Sequence, residues 1–287
     1  MPRLIQSILL LAALAALSAC GRDGGLTDGS SVSPDGAVIA LVDALRADDL
    51  QKVLRRSMSD DDYARARSEW DAARAGAVDP NDREQINAAL AALDDDAFVD
   101  VVMAEIGPAL EAARPNLPLM LMAAQTMGHA SISANESLTE SQRNAANELL
   151  AALGKWAGGK DLANPELARA ALESWVKDAR KINLKNLEEL QALEFEEMVD
   201  RAGILLAATR EMLTSYGFNL NDVYDSARAE VLRQQGDTAL VRVSFSVLDT
   251  NQQFDIVLLR ENGRWLPESQ IFEYENPELS RAPESEI

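Results

Sequence analysis

The chain has very few of the residues on which catalysis and metal binding most often depend. Its 287 residues contain one cysteine, Cys20, and one histidine, His129. A Ser-His-Asp or Cys-His catalytic system would have to use these residues, and zinc sites built from His and Cys need more of them. A single cysteine also excludes intrachain disulfides. The sequence therefore predicts a non-enzymatic protein with no catalytic residues, no metal site and no cofactor.

Basic residues are also scarce. The chain has 27 Lys and Arg residues against 47 Asp and Glu residues, which gives a formal net charge of −20. A protein this acidic is repelled by phosphate backbones, so nucleic acid is excluded as a partner. The hydrophobic fraction of 47% is nevertheless that of a globular protein. We expect a single α+β domain from 34 to 274, followed by a flexible polar tail, 275–287.

The first residues have the layout of a secretory signal. Arg3 supplies a positive start, and the run from Leu4 to Leu17 is apolar except for Gln6 and Ser7. As a helix, this run would span about 21 Å, whereas a bilayer core is roughly 30 Å thick. The segment is therefore too short for a comfortable transmembrane helix. It predicts a cleavable signal peptide over residues 1–19.

The signal ends in Leu17-Ser18-Ala19-Cys20, which resembles the lipobox of bacterial lipoproteins. That resemblance implies cleavage between Ala19 and Cys20, a diacylglycerol on the Cys20 thiol, and a second acyl group such as palmitate on its new amine. Stable anchoring takes more than one chain. Gly21, in place of the Asp that retains lipoproteins in the inner membrane, implies the outer membrane of a Gram-negative envelope, facing the periplasm. The alternative is a secreted protein with an incidental free cysteine.

Residues 20–33 follow as the lipidated cysteine and a flexible tether rich in Gly, Ser and Asp. Ser33-Pro34 has the pattern of a helix cap followed by proline at the first helical position. Helical periodicity then dominates residues 34–228 and predicts about seven helices. The main predicted segments are 34–54, the stretch after Ser59, 81–93, 94–106, 138–153, 165–180 and 184–215.

The period changes to two at about residue 229. In Thr238 to Leu248 the apolar residues Val241, Val243, Phe245 and Val247 alternate with polar ones, which is typical of a half-buried strand. Asp249-Thr250-Asn251 predicts a turn into a strand from Gln253 to Arg260, and Asn262-Gly263 is a strong hairpin signal. We therefore expect an antiparallel β-meander of about four strands over residues 229–274.

Both ends of the expected domain resemble NTF2-like envelope lipoproteins of unknown function. The residues concerned are S-P-x-x-A-V-x-x-L-V-x-A-L at 33–45, G-D-T-A-L-V-R-V at 236–243, and the N-G-R-W ending at Trp265. The resemblance implies a curved sheet that wraps around a helix and leaves a cone-shaped pocket. The long helical middle, roughly 60–215, departs from that pattern.

A methionine-rich segment interrupts the charged sequence. No formally charged residue occurs from Asn116 to Asn135. An apolar helix of this kind predicts a buried core element, and we expect His129 to be buried or capping. The alternative is the wall of a pocket for an apolar ligand, since methionine lines adaptable apolar surfaces. The candidate pocket residues are Met120, Met122, Met127 and Trp265.

Two runs of aspartate, 60–62 and 94–96, raise the question of calcium. Neither run has the spacing or the glycine of an EF-hand loop, and consecutive carboxylates on a helix point in different directions. We expect both runs to lie at helix starts, where the helix dipole favours negative charge.

Three functions remain open from the sequence. The first is a lipid-anchored periplasmic domain that binds an envelope protein partner or a ligand. The second is a carrier of an apolar ligand in a Met-rich or NTF2-like pocket. The third is a hydrolase that depends on carboxylates alone. The oligomeric state is left open.

Overall fold

The computed structural model describes residues 33–135 and 138–268. The expected signal peptide, the lipobox cysteine, most of the tether and the expected tail lie outside these residues. The described chain is helical up to Ser226 and then forms a four-stranded antiparallel sheet, so the expected α+β class is confirmed. In chain order the elements are α1 Pro34–Arg46, α2 Leu50–Ser57, α3 Asp60–Ala75, α4 Pro80–Asp94, α5 Phe98–Ala113, α6 Leu117–Ala134, α7 Glu140–Gly158, α8 Pro165–Ala179, α9 Leu187–Ala192, α10 Phe195–Ser215, α11 Leu220–Ser226, β1 Arg228–Gln235, β2 Thr238–Val247, β3 Thr250–Glu261 and β4 Arg264–Pro267.

Side-chain caps fix most helix starts. The Ser33 Oγ accepts a hydrogen bond from the Gly36 amide at 3.3 Å, with Pro34 at the first helical position as expected. Thr139 begins α7 with a full capping box, because Gln142 bonds back to its amide at 2.9 Å. Such caps satisfy amides that have no partner inside the helix. They explain why the helices begin where the sequence places them.

The described residues form eleven α-helices, against about seven expected. Two of the additional helices are α6 and the short α11, which lie outside the seven expected segments, and the other two arise because two long periodic segments are each divided. In the first segment, Asp48 adopts a left-handed backbone conformation (φ 56°), and Asp49 then caps α2. In the second, Asn186 caps α9 and Glu194 caps α10 through a capping box with Glu197. Hydrophobic periodicity continues across these breaks, so it did not reveal them.

The sheet has the simple order β1-β2-β3-β4. The β2–β3 and β3–β4 connections are two-residue turns, Leu248-Asp249 and Asn262-Gly263, and all four residues have positive φ. This is the turn type whose twist matches antiparallel strands. Strand β3 begins at Thr250, three residues earlier than the sequence indicated. That extension brings Gln252 into the sheet.

One face of the sheet carries the core. Val241, Val243, Phe245 and Val247 on β2 are all buried, as their alternation predicted. Phe245 and Val247 belong to a cluster with residues of α1, α7 and α11, including Leu45, Leu149 and Tyr224. Val241 and Val243 belong to a second cluster with Val38 and Trp265. The side chain of Arg264 on β4 reaches the Asp60 carboxylate at 2.6 Å and the Arg55 carbonyl at 2.5 Å. The first helices and the last strand are therefore in direct contact.

The helical middle has cores of its own. Helices α8 and α10 pack side by side, with Val176, Ala179 and Ala208 buried between them. A second cluster forms around Trp70, whose indole N–H donates to the Leu193 carbonyl at 3.0 Å. These clusters position α10 against the turn between α1 and α2.

Candidate functional site

A cleft of about 880 Å³ lies where α7 crosses the sheet near the β2–β3 turn. Helix α7 contributes Glu140, Asn144 and Glu148, which are four residues apart and so share one helix face. We call this space the Gln252 cleft. Its lining residues are Glu140, Ser141, Asn144, Ala145, Glu148, Ser226, Ser244, Phe245, Ser246, Asn251, Gln252 and Gln253.

The strand register explains the floor of the cleft. Phe245 on β2 and Gln252 on β3 lie directly opposite each other, and both are buried. On a strand, side chains alternate between faces. Gln252 therefore shares a row with Phe254, which packs against the same core as Phe245. An amide side chain occupies a position where its neighbours are apolar.

Gln252 is the unusual residue of this cleft. It is only 1% exposed, and neither its Nε2 nor its Oε1 has a hydrogen-bond partner among the described residues. Most buried polar side-chain atoms in proteins are bonded, and each one that is not costs about 1–3 kcal/mol. Gln252 therefore places a buried donor and a buried acceptor in the cleft lining, and neither has a partner among the described residues that would offset its burial.

The serine and asparagine side chains that line the hairpin end of the cleft already have hydrogen-bond partners. Ser246 donates its hydroxyl to the Asn251 side chain at 2.7 Å, and the Ser246 amide donates to the Ser226 Oγ at 2.8 Å. Ser226 in turn donates to the Val223 carbonyl at 2.8 Å. These bonds tie the end of α11 to β2. They hold the hairpin end against α11 at the edge of the cleft.

The charge of the cleft has one sign. Glu140 and Glu148 line it, and neither forms an ion pair with another described residue. No Lys, Arg or His is among the lining residues. Ser141 and Asn144 add neutral polar side chains that form no hydrogen bond with another described residue. The cleft therefore suits a neutral or positively charged ligand and repels an anion.

A second, acidic cleft of about 500 Å³ lies between the α1–α2 turn and α10. Arg210 bonds the Asp48 carboxylate at 2.6 Å and the Arg46 carbonyl at 2.7 Å. The other oxygen of Asp48 has no partner among the described residues. Burial raises the pKa of the Asp48 carboxyl, against the opposing effect of Arg210. Because Gln51 and Asp200 bond each other at 2.7 Å, most polar groups here are already paired.

The structure does not bring the four candidate pocket residues together. Met120, Met122 and Met127 lie on the outer side of α6, where Met127 is 71% exposed. Trp265 lies on β4 and is 3% exposed, packed in the sheet core with Val38. None of the four lines the two clefts described above.

The expectation that the methionine-rich segment forms a buried core helix is wrong. Helix α6 has no buried residue and packs mainly on α7, its hairpin partner. The approach is close because it passes over glycines. A Cβ at Gly128 would lie 2.7 Å from a methyl group of Leu150. The inner stripe of α6 meets α7, and its charge-free outer side meets solvent.

His129 is neither buried nor capping. It is exposed on α6, and its Nδ1 lies 2.7 Å from the Asn147 Oδ1 on α7. It therefore links the two helices of the hairpin, and no nucleophile adjoins it in the described contacts.

The aspartate runs differ from each other. Asp60, Asp61 and Asp62 form the first turn of α3, as expected. The second run instead ends α4, where the Asp94 carboxylate pairs with Lys185 and Arg180 donates to the Asp95 carbonyl at 2.8 Å. Within 33–135 and 138–268, no group of three or more His, Cys, Asp or Glu side chains is arranged to hold a metal ion.

Comparison with known proteins adds no relative. A scan against protein-family models, a search of curated proteins and a search of solved structures each found no match to this chain. Among the described residues, no helix is both long and apolar enough to cross a membrane.

Sequence reasoning missed Gln252. A signal for it exists in Asn251-Gln252-Gln253-Phe254, because extending the alternation of β3 backwards from Phe254 places Gln252 on the inward row. The strand was instead expected to begin at Gln253, which left Gln252 in a turn.

Proposed function

We propose that the chain is an envelope lipoprotein, anchored through acylated Cys20, whose domain binds a ligand in the Gln252 cleft without transforming it. One observation carries the binding site: a buried side-chain amide whose donor and acceptor both lack partners in the described protein. The lipobox motif ending at Cys20 supports the lipid anchor. The polar lining favours a hydrogen-bonding ligand over the apolar ligand considered from the sequence.

The cleft also favours binding over hydrolysis. A carboxylate-dependent hydrolase needs two carboxyl groups on opposite sides of the scissile bond. Glu140 and Glu148 lie instead on one face of one helix, two turns apart. They act as a negative rim rather than as an opposed acid and base.

The experiment uses the full chain, produced with its own leader in a Gram-negative host and extracted in mild detergent. The probe is a low-molecular-weight extract of periplasm, and the measurement is the thermal unfolding midpoint. We expect the extract to raise the midpoint of the wild type, because a ligand that binds only the folded state stabilises it. The Gln252→Met variant should show no such rise.

The matched control is Gln234→Met, which makes the same change at an exposed position on β1. It should respond to the extract like the wild type. A rise of equal size in Gln252→Met, or no rise in the wild type, would refute binding in this cleft.

A further inference from the structure

We infer that the Gln252 cleft recognises the backbone of an extended peptide that carries a positive charge. This inference rests on the proposed binding function and names the class of ligand. It starts from the two idle atoms of the Gln252 amide and from the two carboxylates above them.

The amide of Gln252 matches one residue of an extended chain. In an antiparallel ladder, the N–H and C=O of a single residue point to the same side and exchange both bonds with one partner. A glutamine side chain presents a donor and an acceptor side by side in the same plane. Gln252 can therefore accept from the N–H and donate to the C=O of one ligand residue. Because both amide atoms are buried in the ligand-free protein, this pairing requires the Gln252 side chain to rotate towards the ligand.

Simpler ligand groups satisfy only half of this amide. A carboxylate or phosphate accepts from Nε2 but is repelled by Oε1 and by the negative rim. An ammonium group donates to Oε1 but leaves Nε2 idle. A backbone residue satisfies both atoms at once, which removes the whole cost of the buried amide.

The rim determines which peptides fit. Glu140 and Glu148 have no ion-pair partner among the described residues and stand on the α7 wall. A lysine or arginine side chain on the ligand would supply that partner. The net charge of −20 on the chain draws such peptides towards it.

A sugar fits the same cleft less well. Sugar rings commonly stack on exposed aromatic faces, and the one aromatic residue in the lining is Phe245. Its ring is buried and already packs edge-on against Phe254, with 6.2 Å between ring centroids. The cleft offers hydrogen bonds and negative charge but no free ring.

Titration calorimetry on the full chain in mild detergent tests the inference. The probes are acetyl-Ala-Lys-Ala-amide, the same peptide N-methylated at lysine, acetyl-Ala-Glu-Ala-amide, and N-acetylglucosamine. We expect the lysine peptide to bind most tightly. N-methylation, which deletes the donor for Oε1, should weaken binding to the wild type at least tenfold.

Three variants separate the contributions. Gln252→Met should weaken binding of the lysine peptide at least tenfold. In this variant N-methylation should have little further effect on affinity, because the two changes remove the same hydrogen bond. Gln234→Met should bind like the wild type. Glu148→Gln should reduce the preference for the lysine peptide over the glutamate peptide.

The outcomes that overturn the inference are distinct from those that overturn the proposed function. If the periplasmic extract raises the unfolding midpoint through Gln252 but no peptide binds, the peptide class is wrong and the site stands. Binding of N-acetylglucosamine alone would assign the cleft to sugars. If neither the extract nor any probe depends on Gln252, both proposals fail and bound water is the partner of this amide.

Discussion

Replacing the buried amide of Gln252 should make the ligand-free protein more stable. Both amide atoms lie in the core without partners among the described residues. Methionine has a similar length and no strong hydrogen-bonding group. Since an unsatisfied buried polar group costs about 1–3 kcal/mol, Gln252→Met should raise the free energy of unfolding by about 2 kcal/mol. For a domain of this size, the midpoint should rise by roughly 6 °C.

The assay is urea unfolding followed by circular dichroism, on ligand-free protein at neutral pH. Gln234→Met, exposed on β1, is the control and should change the free energy by less than about 0.5 kcal/mol. A loss of more than 1 kcal/mol in Gln252→Met would refute the reasoning. It would mean that the amide is bonded in the native state and contributes to folding rather than waiting for a ligand.

Four further outcomes are expected. Cys20→Ser should move the protein from the membrane fraction to the soluble fraction of cell extracts, and unchanged fractionation would contradict the lipid anchor. Gly203→Ala should destabilise the fold by about 1–3 kcal/mol, because a Cβ there would lie 2.7 Å from the Asp48 carbonyl oxygen; Gly107→Ala, with open space around its Cβ, should instead be neutral or stabilising by up to about 1 kcal/mol. Asp48→Asn should gain stability relative to the wild type as the pH rises above about 3.8. The pKa of Asp48 is raised in the folded state, so the wild type loses stability as the pH rises from the unfolded pKa to the folded pKa, whereas asparagine does not titrate. An unchanged stability difference between the two proteins from pH 4 to 8 would contradict this. Met122→Lys should leave the free energy of unfolding within about 0.5 kcal/mol of the wild-type value, since the side chain is 65% exposed. A large loss of stability would indicate that this side of α6 is buried.

Local signals predicted the architecture well. Ser33-Pro34 begins α1, and Asn262-Gly263 forms the last hairpin turn. The alternation of β2 gave its buried face correctly. Each of these features depends on residues within one turn of helix or one hairpin, where backbone chemistry leaves few choices.

The predictions that were wrong concern residues whose environment depends on contacts with distant parts of the chain. A charge-free helix such as α6 has the same composition whether another layer covers it or not, and the sequence does not say which. The division at Asp48 depends on α10, because Gly203 and Arg210 meet that turn from more than 150 residues away. The importance of Gln252 depends on α7 crossing above it.

The contact between the first helices and the last strand sets an order for folding. Helices α1 and α2 leave the ribosome, or enter an export channel, roughly 180 residues ahead of the strands that cover them. Val38 on α1 packs in one cluster with Trp265 of β4, so this part of the core is incomplete until β4 has been synthesised. The nascent chain therefore cannot complete its core, and stays open to holding chaperones and proteases, until β4 has emerged. We expect a chain truncated before residue 264 to be degraded rather than to accumulate in the cell.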